Sequence, residues 1–159
     1  AAASGGKVVS FQSTSFTSYS SVTAARPGWD DTAVLYNEMN GLGTTVTFTP
    51  ASATNILWVA GSFAICLDGG TELGIGIVEE ISGVRDVKGF WVNSTAGDDL
   101  IGEFSVVCSY VCGTTSLMEV QAKVGSKDAG TIYLNGTSAG RLFGGISKCQ
   151  LCVMEISPN

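Results

Sequence analysis

Apolar and polar residues alternate with a period of two wherever the pattern is strong. Thr45-Val46-Thr47-Phe48-Thr49 exchanges threonine for an apolar residue at every step until Pro50 stops it, the mark of a half-buried strand. Lys7 to Gln12 and Phe16 to Thr23 predict further strands, the second rich in serine and aromatic residues. Ile56 to Leu67 is a long apolar run, as expected of a central strand covered on both faces. Asp68-Gly69-Gly70 follows it and Thr71 to Val78 returns, which predicts a hairpin. Phe90-Trp91-Val92 is a short strand before a loop from Asn93 to Asp99. Leu100 to Cys112 sets Phe104, Val106, Cys108, Tyr110 and Cys112 on one face. Ser116 to Val124, Thr131 to Leu134 and Ile146 to Ile156 complete the set.

Nine or ten strands joined by Gly, Ser, Asn and Asp turns predict an all-β fold, an antiparallel β-sandwich of jelly-roll type. Thr32 to Asn40 is the one candidate helix, and it is short. No internal repeat or linker divides the chain.

Composition sharpens this picture. The 159 residues form one domain, long enough to bury roughly 70% of the surface of the unfolded chain without disulfides or a metal. Charged residues make up 14% and hydrophobic residues 45%, with 21 glycines. An ordinary soluble domain carries about 25% charged residues, so the outer faces are neutral-polar or hidden against neighbours. The net charge of −6 and eight scattered cations exclude a nucleic-acid binder, which needs a basic stripe. Gly61 and Ser62 interrupt the longest apolar run, which is too short to span a bilayer. Ala1-Ala2-Ala3-Ser4-Gly5-Gly6 lacks the basic and apolar segments of a signal peptide, so the chain is expected to be made and kept in a reducing cytoplasm.

Five cysteines, Cys66, Cys108, Cys112, Cys149 and Cys152, are an odd number for a disulfide framework. Cys149 and Cys152 have zinc-knuckle spacing, but residues three apart on a strand point to opposite faces. All five therefore read as small buried hydrophobes, and no metal or cofactor is expected. The sequence contains no histidine, which removes the Ser-His-Asp and Cys-His constellations and the commonest general base. The acidic neighbours Asp30-Asp31, Glu79-Glu80 and Asp98-Asp99 point apart on an extended chain and make no ready catalytic pair. Gly74-Ile75-Gly76 lacks the helix, Lys and Ser/Thr of a phosphate loop. Asn93-Ser94-Thr95 and Asn135-Gly136-Thr137 match the glycosylation sequon and read as ordinary turns.

One segment stands apart. Arg26-Pro27-Gly28-Trp29-Asp30-Asp31 places a cation, a rigid turn, an indole and two acids together. Arg26, Trp29, Asp30 and Asp31 are the candidate partner-binding residues, since an aromatic flanked by charges is a common anchor. Residues 1–43 then form an N-terminal arm with the first strands and a candidate attachment segment. Residues 44–159 form the jelly-roll body of the same single domain.

Four stretches resemble small jelly-roll domains of bacteriophage virion proteins. Ile65-Cys66-Leu67-Asp68-Gly69-Gly70-Thr71-Glu72-Leu73-Gly74-Ile75-Gly76 is similar to their glycine-centred hairpin. Thr115 to Lys123 resembles a following strand, Ser147 to Ile156 their closing strand, and Thr44 to Ala53 a strand running into a proline turn. The stretches occur in the family's order over residues 44–156. Cys66-Leu67 stands where the hairpin carries Arg, and Tyr110-Val111-Cys112-Gly113 replaces the usual Asp-Ser-Pro turn.

The resemblance implies a fold like that of tumour necrosis factor, assembled as a homotrimer, with no catalytic residue to carry over. It leads to a non-enzymatic structural protein of the virion, made in the host cytoplasm. The first expectation is a capsid decoration (cement) protein, whose partners are its own copies and the major capsid protein, with neither nucleic acid nor membrane. The alternative is a tail-fibre or receptor-binding tip recognising a host glycan, and a remote one is a hydrolase of cell-surface polysaccharide.

Overall fold

The computed structural model describes residues 6–23, 33–69, 72–94, 101–128 and 130–158. Their strands are β1 (Lys7–Phe16), β2 (Ser20–Thr23), β3 (Asn40–Phe48), β4 (Ile56–Asp68), β5 (Glu72–Ile81) and β6 (Val84–Ser94). There follow β7 (Ile101–Val111), β8 (Met118–Ser126), β9 (Thr131–Leu134), the short β10 (Gly136–Thr137) and β11 (Gly140–Arg141), and β12 (Cys149–Ser157).

They assemble into two antiparallel layers. In the first, β1 pairs with β12, β12 with the first half of β4, and β7 runs along the other edge of β4. The second half of β4 pairs with β9, and β9 with β2, so β2 and β9 continue the lines of β1 and β12. The second layer has the order β3-β8-β5-β6. From β2 to β9 successive strands cross between the layers except in the β5–β6 hairpin, while β1 with β2 and β9 with β12 stay in the first layer. This is jelly-roll topology. The fold class matches the patterning.

Alternation explains the layering. Leu57, Val59, Phe63 and Ile65 of β4 and Leu73, Ile75 and Ile77 of β5 are buried, as are Met118, Val120, Ala122 and Val124 of β8. These rows meet between the sheets as one core.

That core also corrects the hairpin expected at Asp68-Gly69-Gly70. β4 and β5 lie in different sheets, because crossing the sandwich sets their two apolar rows opposite each other. A hairpin would lay both rows in one layer. The tight hairpin is instead β5–β6, closed by Ser82 (φ 52°) and Gly83 (φ 83°), and β6 begins at Val84, well before Phe90. Thr32 to Asn40 is no α-helix in its described part. It holds a single 3-10 turn, Tyr36–Glu38, and Asn40 already opens β3. The division at 43/44 falls inside β3, and β1 and β2 are ladder partners of β12 and β9. Residues 7–23 are therefore part of the sandwich.

Candidate interaction surface

The two outer faces of the sandwich differ in chemistry. On the β3-β8-β5-β6 side, Lys123 of β8 donates to the carbonyls of Tyr36 (2.7 Å) and Met39 (3.2 Å). Its ammonium and the Arg85 guanidinium both lie over the Tyr36 ring, at 5.1 and 4.7 Å. Burial, with repulsion from Arg85, lowers the Lys123 pKa. Arg85 bonds Glu80 at 2.6 Å. Met39 packs its methyl over Gly76, where a Cβ would stand 2.6 Å away. Gly76 is thus a site of close packing. This face is charged and carries its own covering segment.

The β1-β12-β4-β7 side carries a neutral stretch. Register places outward-facing residues in rungs across four strands: Val8–Ile156–Ile56–Val111, Phe11–Met154–Trp58–Ser109, then Ser13–Cys152–Ala60–Val107. None of these is charged. Phe11 and Val107 are each 52% exposed and Val111 60%. Strands about 4.8 Å apart and rungs about 6.7 Å apart make this a patch on the order of 400 Å², the size of the largest such patch on an ordinary monomer, which is often functional. Beside it, the small outward residues Ala60 and Ser62 leave a furrow of about 310 Å³, walled by Val107, Cys152 and Gln150.

The patch was legible in part. The apolar runs of β4 and β12 continue through both strand parities, the signal of strands covered on two faces. The sandwich covers only one of them.

Buried polar groups fasten the loops. Glu155 is 1% exposed and accepts from Asn55 Nδ2 (2.6 Å), Ala51 N (2.7 Å) and Ser10 Oγ (3.1 Å). Burial alone would raise its pKa, but these hydrogen bonds outweigh that and hold it below the ordinary carboxylate value. Asn135, fully buried at φ 59°, donates to the carbonyls of Phe16 and Ser18. Its sequon is spent on this bridge between β1 and β2. Lys88 lies between Glu79 (3.0 Å) and Asp86 (2.8 Å) and 5.1 Å from the Tyr110 ring centre. Burial opposes the charge on Lys88, but the two carboxylates prevail and raise its pKa. Burial, then the Glu79 charge, raises that of Tyr110.

Arg26, Trp29, Asp30 and Asp31 lie outside the described residues. None of the five cysteines is in a disulfide, and Cys149 lies in the core and Cys152 on the outer patch. Burial pushes the thiols of Cys108, Cys112 and Cys149 up to about 11, which makes them poor nucleophiles at neutral pH. Glu79 and Glu80 divide between Lys88 and Arg85. No group of three or more metal-ligating side chains occurs among the described residues.

Chain topology, two unlike outer faces and a neutral patch define a jelly-roll β-sandwich with a surface suited to association. No protein-family model matches the chain, and no curated protein matches it. Among solved structures, one described as "CBM4 structure and function" is similar at 12% identity and a TM-score of 0.40, covering 81% of this chain and 73% of that one. At that TM-score the likeness carries no argument about function.

Proposed function

We propose that this protein is a non-enzymatic structural protein of a phage virion, a decoration protein that sits on the outer surface of the capsid as a homotrimer. The uncharged patch over β1, β12, β4 and β7 carries the reading. An exposed sheet face of this kind is stable in water once a second copy covers it, and a heterologous contact that closes after three copies forms a ring. The charged opposite face, with its Tyr36 segment already packed, is the side suited to solvent. The sequence motifs over residues 44–156 supply the phage assignment. The lack of histidine and the divided Glu79-Glu80 pair favour binding over catalysis.

Electron microscopy of the intact virus tests the location. Trimeric density repeated over the head shell is the expected result. Density confined to the tail would replace this reading with the receptor-binding alternative.

A further inference from the structure

South of the neutral patch on the same sheet, the surface changes character. A cleft of about 400 Å³ opens between β4, β7 and the segment preceding β12, with Ser62, Glu103, Phe143, Ser147, Lys148 and Gln150 on its walls. That volume falls within the range of small-molecule sites, about 300–1,000 Å³. We propose that this cleft binds a neutral hexopyranose, the terminal sugar of a glycan.

The chemistry of the walls selects the ligand. Glu103 supplies acceptor oxygens, one already held by Ser62 Oγ at 2.6 Å. Lys148 supplies an ammonium that makes no hydrogen bond or ion pair among the described residues. Gln150 and Ser147 can each donate and accept. An anion would meet Glu103, a cation would meet Lys148, and an apolar ligand would strip water from both. A neutral polyol satisfies donors and acceptors together. Its C–H face needs an apolar platform, and Phe143 provides one with its ring 64% exposed.

The platform is held in place at a conformational cost. Phe143 has φ 53°, and Gly144 and Gly145 follow at 59° and 85°. A bulky residue in the left-handed region is a genuine outlier. The turn is closed by Gly145 N to Leu142 O (3.0 Å) and Ile146 N to Phe143 O (3.1 Å). Arg141 braces it from below, donating to the carbonyls of Thr17 and Gly145. Such strain persists where the surroundings fix it, and it concentrates at ligand sites. A ring turned outward has no part in the core, so folding alone gives it no use.

This inference stands apart from the capsid reading, because the cleft lies beyond the three neutral rungs. The test is a titration of the intact protein, in its native assembly, with the methyl glycosides of glucose, galactose, mannose and N-acetylglucosamine, followed by amide chemical shifts. At least one probe should give saturable shifts at Gly102, Ser147 and Gln150, with a dissociation constant on the order of 1 mM. Phe143→Ala and Lys148→Ala alter exposed residues and leave the core intact, and each should weaken binding about tenfold. No saturation with any of the four glycosides overturns the proposal. So do shifts that map elsewhere, or binding undiminished in both variants.

Discussion

At the scale of single residues, the fold is fastened by two buried polar side chains. Asn135 ties the break between β1 and β2 to the turn after β9. Glu155 gathers the Pro50–Asn55 loop onto the last strand, against Ser10 of the first. Because its pKa in the folded chain is depressed, the stability it contributes is full above the unfolded carboxylate value of about 4.3. It is lost as pH falls through the lower folded value. Glu155→Ala strands buried donors and should cost about 3 kcal/mol at neutral pH, read as a lowered urea midpoint. Glu155→Gln should flatten the acid limb of the stability curve. An acid limb unchanged in the Gln variant would mean that other carboxylates govern the transition. Neither fastener is readable in sequence, since each works through partners about a hundred residues away.

At the scale of elements, strand existence followed from periodicity, while strand partnership did not. β3, β8 and the closing part of β12 stand close to where alternation puts them. β6 was cut short because Val84-Arg85-Asp86-Val87-Lys88 mixes charge into both faces, and its ladder to β5 becomes evident only in three dimensions. The Ser82-Gly83 turn that joins them has both residues at positive φ, the geometry that Asn-Gly serves best. Gly83 faces open space, so Gly83→Ala isolates backbone strain and should destabilise by about 1 kcal/mol. Ser82→Asn should stabilise by about 0.5 kcal/mol. Thermal unfolding of the two variants checks both signs, and equal melting temperatures would refute the turn assignment.

At the scale of the whole molecule, the decisive contrast is between a charged outer face and one that carries a neutral patch. Val107 lies on the neutral patch, half exposed, with no role in the core. Val107→Glu should therefore leave the unfolding of the protomer nearly unchanged, within about 0.5 kcal/mol. If the proposed trimer forms through this patch, the variant should sediment as monomer, because an unpaired carboxylate would be buried at the contact. An equivalent charge on the other face, Gln121→Glu on β8, should leave the assembly intact. A trimer that survives Val107→Glu would place the contact elsewhere on the sandwich.

The alternation of Thr45–Thr49, the two-sided apolar runs of β4 and β12 and the glycine-rich turns determine a β-sandwich by themselves, because a period of two is a local property of the chain. The scarcity of charge likewise fits outer faces that are neutral-polar or hidden against neighbours, without saying where they lie. Which strands become neighbours depends on how apolar rows from distant segments face one another across the core. Asp68-Gly69-Gly70 reads as a hairpin locally, yet the opposing rows of β4 and β5 make it a crossing between sheets. The neutral patch takes its rungs from four strands, and the cleft below it joins β4 and β7 to the strained Phe143 turn. Such surfaces exist only after pairing has brought residues 8, 56, 111 and 156 into one row, so only the tertiary structure decides them.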